Sequence, residues 1–213
     1  MTPFAMIALG LVGLLTLLLA FYVYVHLPKE VDERLGAMVS VLGTAIELRY
    51  GASKGNNELI ERLARQVGEA YGLSRRQLRL LVYAARVRDL GMVTLPFNLL
   101  NDEAVDLPNS PHRELYDRHA EIGANWLEAT RNLRQLAPIV RHHHANFTAN
   151  PVPPIESRIL KVATDFVWAK KESRTPLTEM RLRIGVAYDP AVMKALERVL
   201  SSEEPEDVLR IAA

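Results

Sequence analysis

The chain follows two patterns of hydrophobic and polar positions. From Phe4 to Val25 no residue is charged, and apolar side chains follow one another without a polar face. A helix apolar on every side belongs in a membrane or a deep core. The run has about the 20 residues needed to cross the hydrocarbon layer. Phe21, Tyr22 and Tyr24 gather at its C-terminal end, where aromatic rings favour the membrane–water interface. A cleaved leader is disfavoured. No basic side chain precedes Phe4, and Phe21-Tyr22-Val23-Tyr24-Val25-His26 offers no pair of small residues for cleavage. The expectation is a transmembrane anchor, with Pro28 interrupting any continuous helix after it.

Past the anchor the pattern becomes that of amphipathic helices. Val31, Leu35, Met38, Leu42 and Ala45 form one stripe on a helix from about Val31 to Tyr50. The run is short for a coiled coil, so its stripe is expected to pack on its own domain. Gly51 to Asn56 reads as a break. Leu59, Ile60, Leu63, Val67 and Ala70 mark the next helix, ended near Gly72. Ser74 is the expected N-cap of a helix reaching about Val87. Asp89-Leu90-Gly91 turns the chain, and Asn101 to Pro111 reads as a polar loop. Leu115–Ala129 and Leu133–His144 read as helices, followed by a loop from Asn146 to Pro154. A long helix carries Ile155, Ile159, Val162, Ala163 and Phe166 on one side. Shorter helices near Thr178–Ile184 and Pro190–Leu200 close the pattern. No alternating strand pattern occurs, so the fold class is all-α. The expected organisation is an anchor over 1–27, a linker and first helix over 28–55, and a helical domain over 56–213.

Composition narrows the function. Lys and Arg number 26 against 25 Asp and Glu, so the overall field calls for neither a nucleic-acid polymer nor bulk attraction to anionic lipid. The absence of cysteine excludes disulfides and thiolate metal sites. Lys29 and Arg34 follow the apolar run, and no basic side chain precedes it. The positive-inside rule then places the C-terminal domain in the cytoplasm of a single-pass inner-membrane protein.

The chemistry-bearing residues are concentrated in two places. Three of the six histidines stand together in Ile139-Val140-Arg141-His142-His143-His144, and His119 and Asp89 lie upstream. Asp89, His119, His143 and His144 come from separate helices or helix ends, which a bundle can bring together. Imidazole and carboxylate suit a divalent transition metal. Each residue also has an ordinary role, Asp89 as a turn residue and His119 on a helix flank. Three consecutive histidines cannot share one helix face, so at least one is expected to point away.

Five segments from about Asn56 to Leu200 resemble those of HD-GYP domains, helical metal-dependent phosphodiesterases of the HD superfamily. Ala84-Ala85-Arg86-Val87-Arg88-Asp89-Leu90-Gly91 is similar to the family's A-A-x-x-H-D-I-G. Arg118-His119-Ala120-Glu121-Ile122-Gly123-Ala124 is similar to R-H-P-E-I-G-A, and Ile139 to His144 to I-V-x-x-H-H. Arg158-Ile159-Leu160-Lys161-Val162-Ala163 matches the start of R-I-L-x-V-A-D, and Tyr188-Asp189-Pro190 is similar to the closing F-D-P. The resemblance implies cyclic di-GMP as substrate, and Asp89, His119, His143 and His144 as metal ligands.

Departures from that pattern change what it implies. Asn56 stands where the family has a histidine, Arg88 at the histidine of the histidine–aspartate pair, Met92 at a lysine and Thr164 at an aspartate. Asn146-Phe147-Thr148-Ala149-Asn150-Pro151 replaces the Gly-Tyr-Pro loop. Arg88 does not deprotonate, so it opposes a cation at close range. Asp165 is about 100° round the helix from Thr164 and cannot take its place. The expectation is therefore a degenerate domain whose four ligands are vestigial. It needs no cofactor, and any bound metal is Fe, Mn or Zn. Its role is a protein-interaction or regulatory module in a bacterial signalling or envelope assembly, with a protein partner or homo-oligomer. Arg88 is the candidate ligand-binding residue, for the phosphate of a cyclic dinucleotide. A divergent metal-dependent phosphodiesterase is the alternative.

Overall fold

Ile155–Glu172, labelled α9 in the sequence of helices below, is buried on most of its circumference. Ile159, Leu160, Val162, Ala163, Phe166 and Val167 are all out of contact with solvent, so the single stripe read from the sequence understates its burial. In a computed structural model, which describes residues 2–50, 57–100, 110 and 112–202, the helices are α1 Pro3–Phe21, α2 Leu27–Tyr50, α3 Asn57–Tyr71, α4 Arg75–Val87, α5 Phe97–Leu100, α6 Arg113–Asp117, α7 His119–Ala129, α8 Ala137–Arg141, α9 Ile155–Glu172, α10 Pro176–Arg181 and α11 Pro190–Ser202. Helix α9 packs against α3, α4, α8, α10 and α11, and α3 packs against α4 and α11. The fold is all-α, with no strand element among the described residues.

The chain divides into two compact units, Met1–Ser40 and Val41–Ala213. In the first, no residue of α1 is buried, and it is long and apolar enough to cross a membrane. Pro28 does not interrupt the helix as expected. Tyr22–His26 forms a π-helical turn, and the Leu27 amide donates to the Tyr22 carbonyl. A proline in an α-helix clashes with the carbonyl four residues back. The wider turn just before Pro28 gives the chain room for it, and the helix runs on.

The stripe on α2 is also corrected. Val31, Met38 and Ala45 are exposed, Leu35 and Leu42 are half-buried, and the buried residues are Val39, Gly43 and Ile46. A Cβ at Gly43 would lie 2.9 Å from the Arg86 carbonyl oxygen, so within the second unit α2 approaches α4 through a residue with no side chain.

Ser74 caps α4 as expected. Its hydroxyl accepts from the Gln77 amide, and the Gln77 side chain reaches back to the Ser74 amide. Gly72 at φ +97° ends α3, with Gly72 and Leu73 both donating to the Gly68 carbonyl.

Two expected helices are broken, and for the same reason. Leu115–Ala129 divides at Arg118 into α6 and α7. Leu133–His144 shortens to a 3-10 turn over Arg134–Leu136 and α8, leaving His142, His143 and His144 in a turn. His119 donates from Nδ1 to the Tyr116 carbonyl at 2.5 Å, and His143 from Nδ1 to the Val140 carbonyl at 2.6 Å. Each ring takes a carbonyl that a continuing helix would use, so side chain competes with ladder. The expected helix near Thr178–Ile184 lies two residues earlier, at Pro176–Arg181, with Pro176 in its first turn. The break at Gly51–Asn56 falls outside the described residues, as does nearly all of the Asn101–Pro111 loop.

Candidate metal centre

Two glycines set the first half of the site. After α4 ends, Asp89 leads into a 3-10 turn over Leu90–Thr94 that packs on α7. A Cβ at Gly91 would lie 2.0 Å from the His119 carbonyl oxygen and 2.7 Å from the Gly123 amide nitrogen. A Cβ at Gly123 would lie 2.9 Å from the Gly91 nitrogen. Only glycine at both positions lets the two backbones meet. That contact holds the Asp89 turn against the first turn of α7, where His119 stands.

The second half comes from the turn after α8. His143 is fully buried, as is His119, and His144 is half-buried beside them. One ring nitrogen from each of the three lies within 4.8 Å of the other two. His119 Nε2 is 3.4 Å from His143 Nε2 and 3.3 Å from His144 Nε2. His142 does not join this group. His119 Nε2 also lies 3.7 Å from a carboxylate oxygen of Asp89. Three of the four residues expected as ligands, His119, His143 and His144, therefore converge, and Asp89 stands beside His119.

The hydrogen bonds fix what those nitrogens offer. A carbonyl only accepts, so Nδ1 of His119 and of His143 carries the proton. Their Nε2 atoms then present lone pairs to one another. Burial pushes the pKa of His119 down, that of His143 down to about 3, and that of His144 well below the usual histidine range. Neutral rings with facing lone pairs repel unless a cation lies between them. In a tetrahedral site with bonds of about 2.0–2.1 Å, ligand atoms stand roughly 3.3–3.4 Å apart. The Nε2 separations are of that size, and the carbonyl partners orient the rings as outer-sphere groups do in metal sites. Three imidazole nitrogens suit a single borderline divalent ion.

Arg88 works against that fit. Its Nη1 donates to the Ala85 carbonyl at 2.7 Å, and its Nη2 lies 3.0 Å from the Asp89 carboxylate. The guanidinium is almost wholly buried. Burial pushes the Asp89 carboxyl up, but Arg88, with His119 and His143, outweighs it and holds the group below the usual carboxylate range. Asp89 thus already has a cation. The residues fit one divalent ion at the histidines and do not fit a second. Thr164 offers a neutral hydroxyl whose Oγ1 is buried and makes no hydrogen bond. Asp165 is held elsewhere: Lys161 donates to it at 2.9 Å and the Tyr188 hydroxyl at 3.0 Å. Asn56 lies outside the described residues.

Sequence reasoning did not single out Lys161. It is buried on α9, and its ammonium disfavours protonation of His144, after burial and the neighbouring histidines. Its only sequence signal is a lysine on a helix otherwise buried. Arg86, on α4, is committed to Glu61 at 2.5 Å.

Comparison with known proteins bears on the same segments. The family model described as HD domain matches residues 40–192. A cyclic di-GMP phosphodiesterase response regulator, RpfG, from Xanthomonas campestris pv. campestris (strain 8004), is 28% identical over 188 residues, covering 80% of this chain and 49% of the relative. The chain thus spans about half the length of that relative. The Asp89 turn, the histidine cluster and α9 all fall inside the family match, and on that ground the chain belongs to the HD domain family.

Proposed function

We propose that this chain is a membrane-anchored HD domain that regulates by binding and does not hydrolyse cyclic di-GMP. The observation that carries the reading is the ion pair between the buried Arg88 and the half-buried Asp89. Phosphoester hydrolysis by paired metals needs two cations to hold the attacking and leaving oxygens. Here a fixed guanidinium occupies one flank of the site, and its charge repels a metal at that flank. Thr164 and the engaged Asp165 supply no carboxylate in compensation. Arg88 is the residue proposed to meet a phosphate oxygen of a cyclic dinucleotide, by charge-assisted hydrogen bonding. The homology to a cyclic di-GMP phosphodiesterase supports that ligand class.

The proposed organisation is an anchor over 1–27, a linker and first helix over 28–55, and an HD domain over 56–213 facing the cytoplasm. Lys29 and Arg34 support that orientation. A protein partner or a second copy completes the assembly.

The second reading is a divergent phosphodiesterase, and the converging Nε2 atoms of His119, His143 and His144 favour it. Metal analysis of the detergent-solubilised full chain, with titration of cyclic di-GMP, separates the two. The binding reading expects at most one divalent ion per chain and nucleotide that is recovered intact. Two ions per chain, with consumption of the nucleotide, supports the enzyme.

A further inference from the structure

We propose that α2 pairs with α2 of a second copy of this chain as a parallel, in-register coiled coil. The argument begins from what the helix leaves uncovered. Leu27, Val31, Met38, Val41 and Leu48 are between 39% and 79% exposed, and Ala45 is exposed with them. With Arg34 they occupy positions 27, 31, 34, 38, 41, 45 and 48, alternating spacings of four and three. That is an unbroken seven-residue repeat, with Val31, Met38 and Ala45 at a and Leu27, Arg34, Val41 and Leu48 at d. At 100° per residue the centre of this seam lies about 140° round the helix from the buried Val39, Gly43 and Ile46. Leu35 and Leu42, half-buried, fall between the two faces. The helix therefore has one side covered and a second, separately patterned side open.

A second copy is the occupant this pattern fits. In a parallel, in-register pair each a residue meets its own counterpart and each d residue does the same, so one seam is complementary to itself. The seam has a single polar layer, at Arg34. Glu30, at the adjoining g position, lies 2.5 Å from the Arg34 guanidinium and neutralises it at the point where two copies would bring two arginines together. One polar layer in an apolar seam fixes register, because any slip buries arginine against aliphatic side chains. Where α1 spans a membrane, both copies also leave it in the same direction and at the same height. The proposal goes beyond the reading of the metal centre and does not depend on whether that centre hydrolyses anything.

The chain has no cysteine, so single introduced thiols test the geometry cleanly. Met38→Cys, Val41→Cys and Glu33→Cys are made in the full chain in isolated membranes, and disulfide formation is followed under a mild oxidant. Glu33 is exposed but lies off the seam. The expected result is disulfide-linked dimer at positions 38 and 41 forming at least tenfold faster than at 33. Equal rates at the three positions, or no dimer at 38 and 41, overturns the proposal. Sedimentation of the full chain in detergent gives a second reading: a dimer for the native chain and a monomer for Met38→Asp with unchanged helix content. A native monomer at micromolar concentration overturns it as well.

Discussion

At the scale of single residues, the proposed choice of binding over chemistry rests on Arg88. Its guanidinium lies against Asp89, a carboxylate beside the histidine cluster. Removing that charge lowers the electrostatic opposition to a metal and releases Asp89 to act as a ligand. Arg88→His is therefore expected to tighten manganese or zinc binding at least tenfold, read by competition with a fluorescent chelator. No gain in affinity would contradict the role assigned to Arg88. The same variant is expected to remain without turnover, because Thr164 still offers no carboxylate. The convergence of His119, His143 and His144 was legible in the sequence because these residues kept the order and spacing of the segments they resemble. That the buried Arg88 forms an ion pair with Asp89 was not legible, since adjacent residues on a helix end do not normally face one another. Nor was the use of Nδ1 by His119 and His143 to take carbonyls at the ends of α6 and α8, which depends on ring orientation.

Elements meet at this site through backbone rather than side chains. Gly91 and Gly123 carry the contact between the Asp89 turn and α7, where an added methyl at Gly91 would fall 2.0 Å from a carbonyl oxygen. Backbone on both sides cannot yield locally, so Gly91→Ala is expected to cost about 3 kcal/mol or more, in the upper range of overpacking. Urea denaturation measures it, and a loss under about 1 kcal/mol would show the contact to be looser than described. Ser74→Ala, far from the site, is expected to cost only about 1 kcal/mol through the lost cap. Helices α3, α4 and α11 were legible because their apolar residues keep one period and are bounded by Gly72 after α3, Ser74 before α4 and Pro190 at the start of α11. Helix α2 was misread because two faces overlap in its sequence. Val31, Met38 and Ala45 belong to an exposed seam, while Val39, Gly43 and Ile46 form the buried one. A glycine in the buried face weakens the very signal that periodicity reads.

At the scale of the whole molecule, an apolar helix with no buried residue precedes an HD domain whose core, from Ile60 to Val199, lies among the helices themselves. That core owes little to the histidines, so exhaustive chelation is expected to leave the helix content unchanged in circular dichroism; unfolding on chelation would make the metal a structural one. The full chain is expected to stay with the membrane pellet through alkaline carbonate extraction, and its release without detergent would remove the span from the account. The fold class was legible at this scale from periodicity alone, whereas the proposed absence of turnover rests on how a few residues at one site face each other. The most direct test is hydrolysis of cyclic di-GMP by the detergent-solubilised full chain, supplied with manganese, and with ferrous iron under anaerobic conditions. The account predicts nucleotide consumption no faster than in buffer containing the metal alone. Turnover above that level which disappears in His143→Ala would contradict it and make the chain an enzyme.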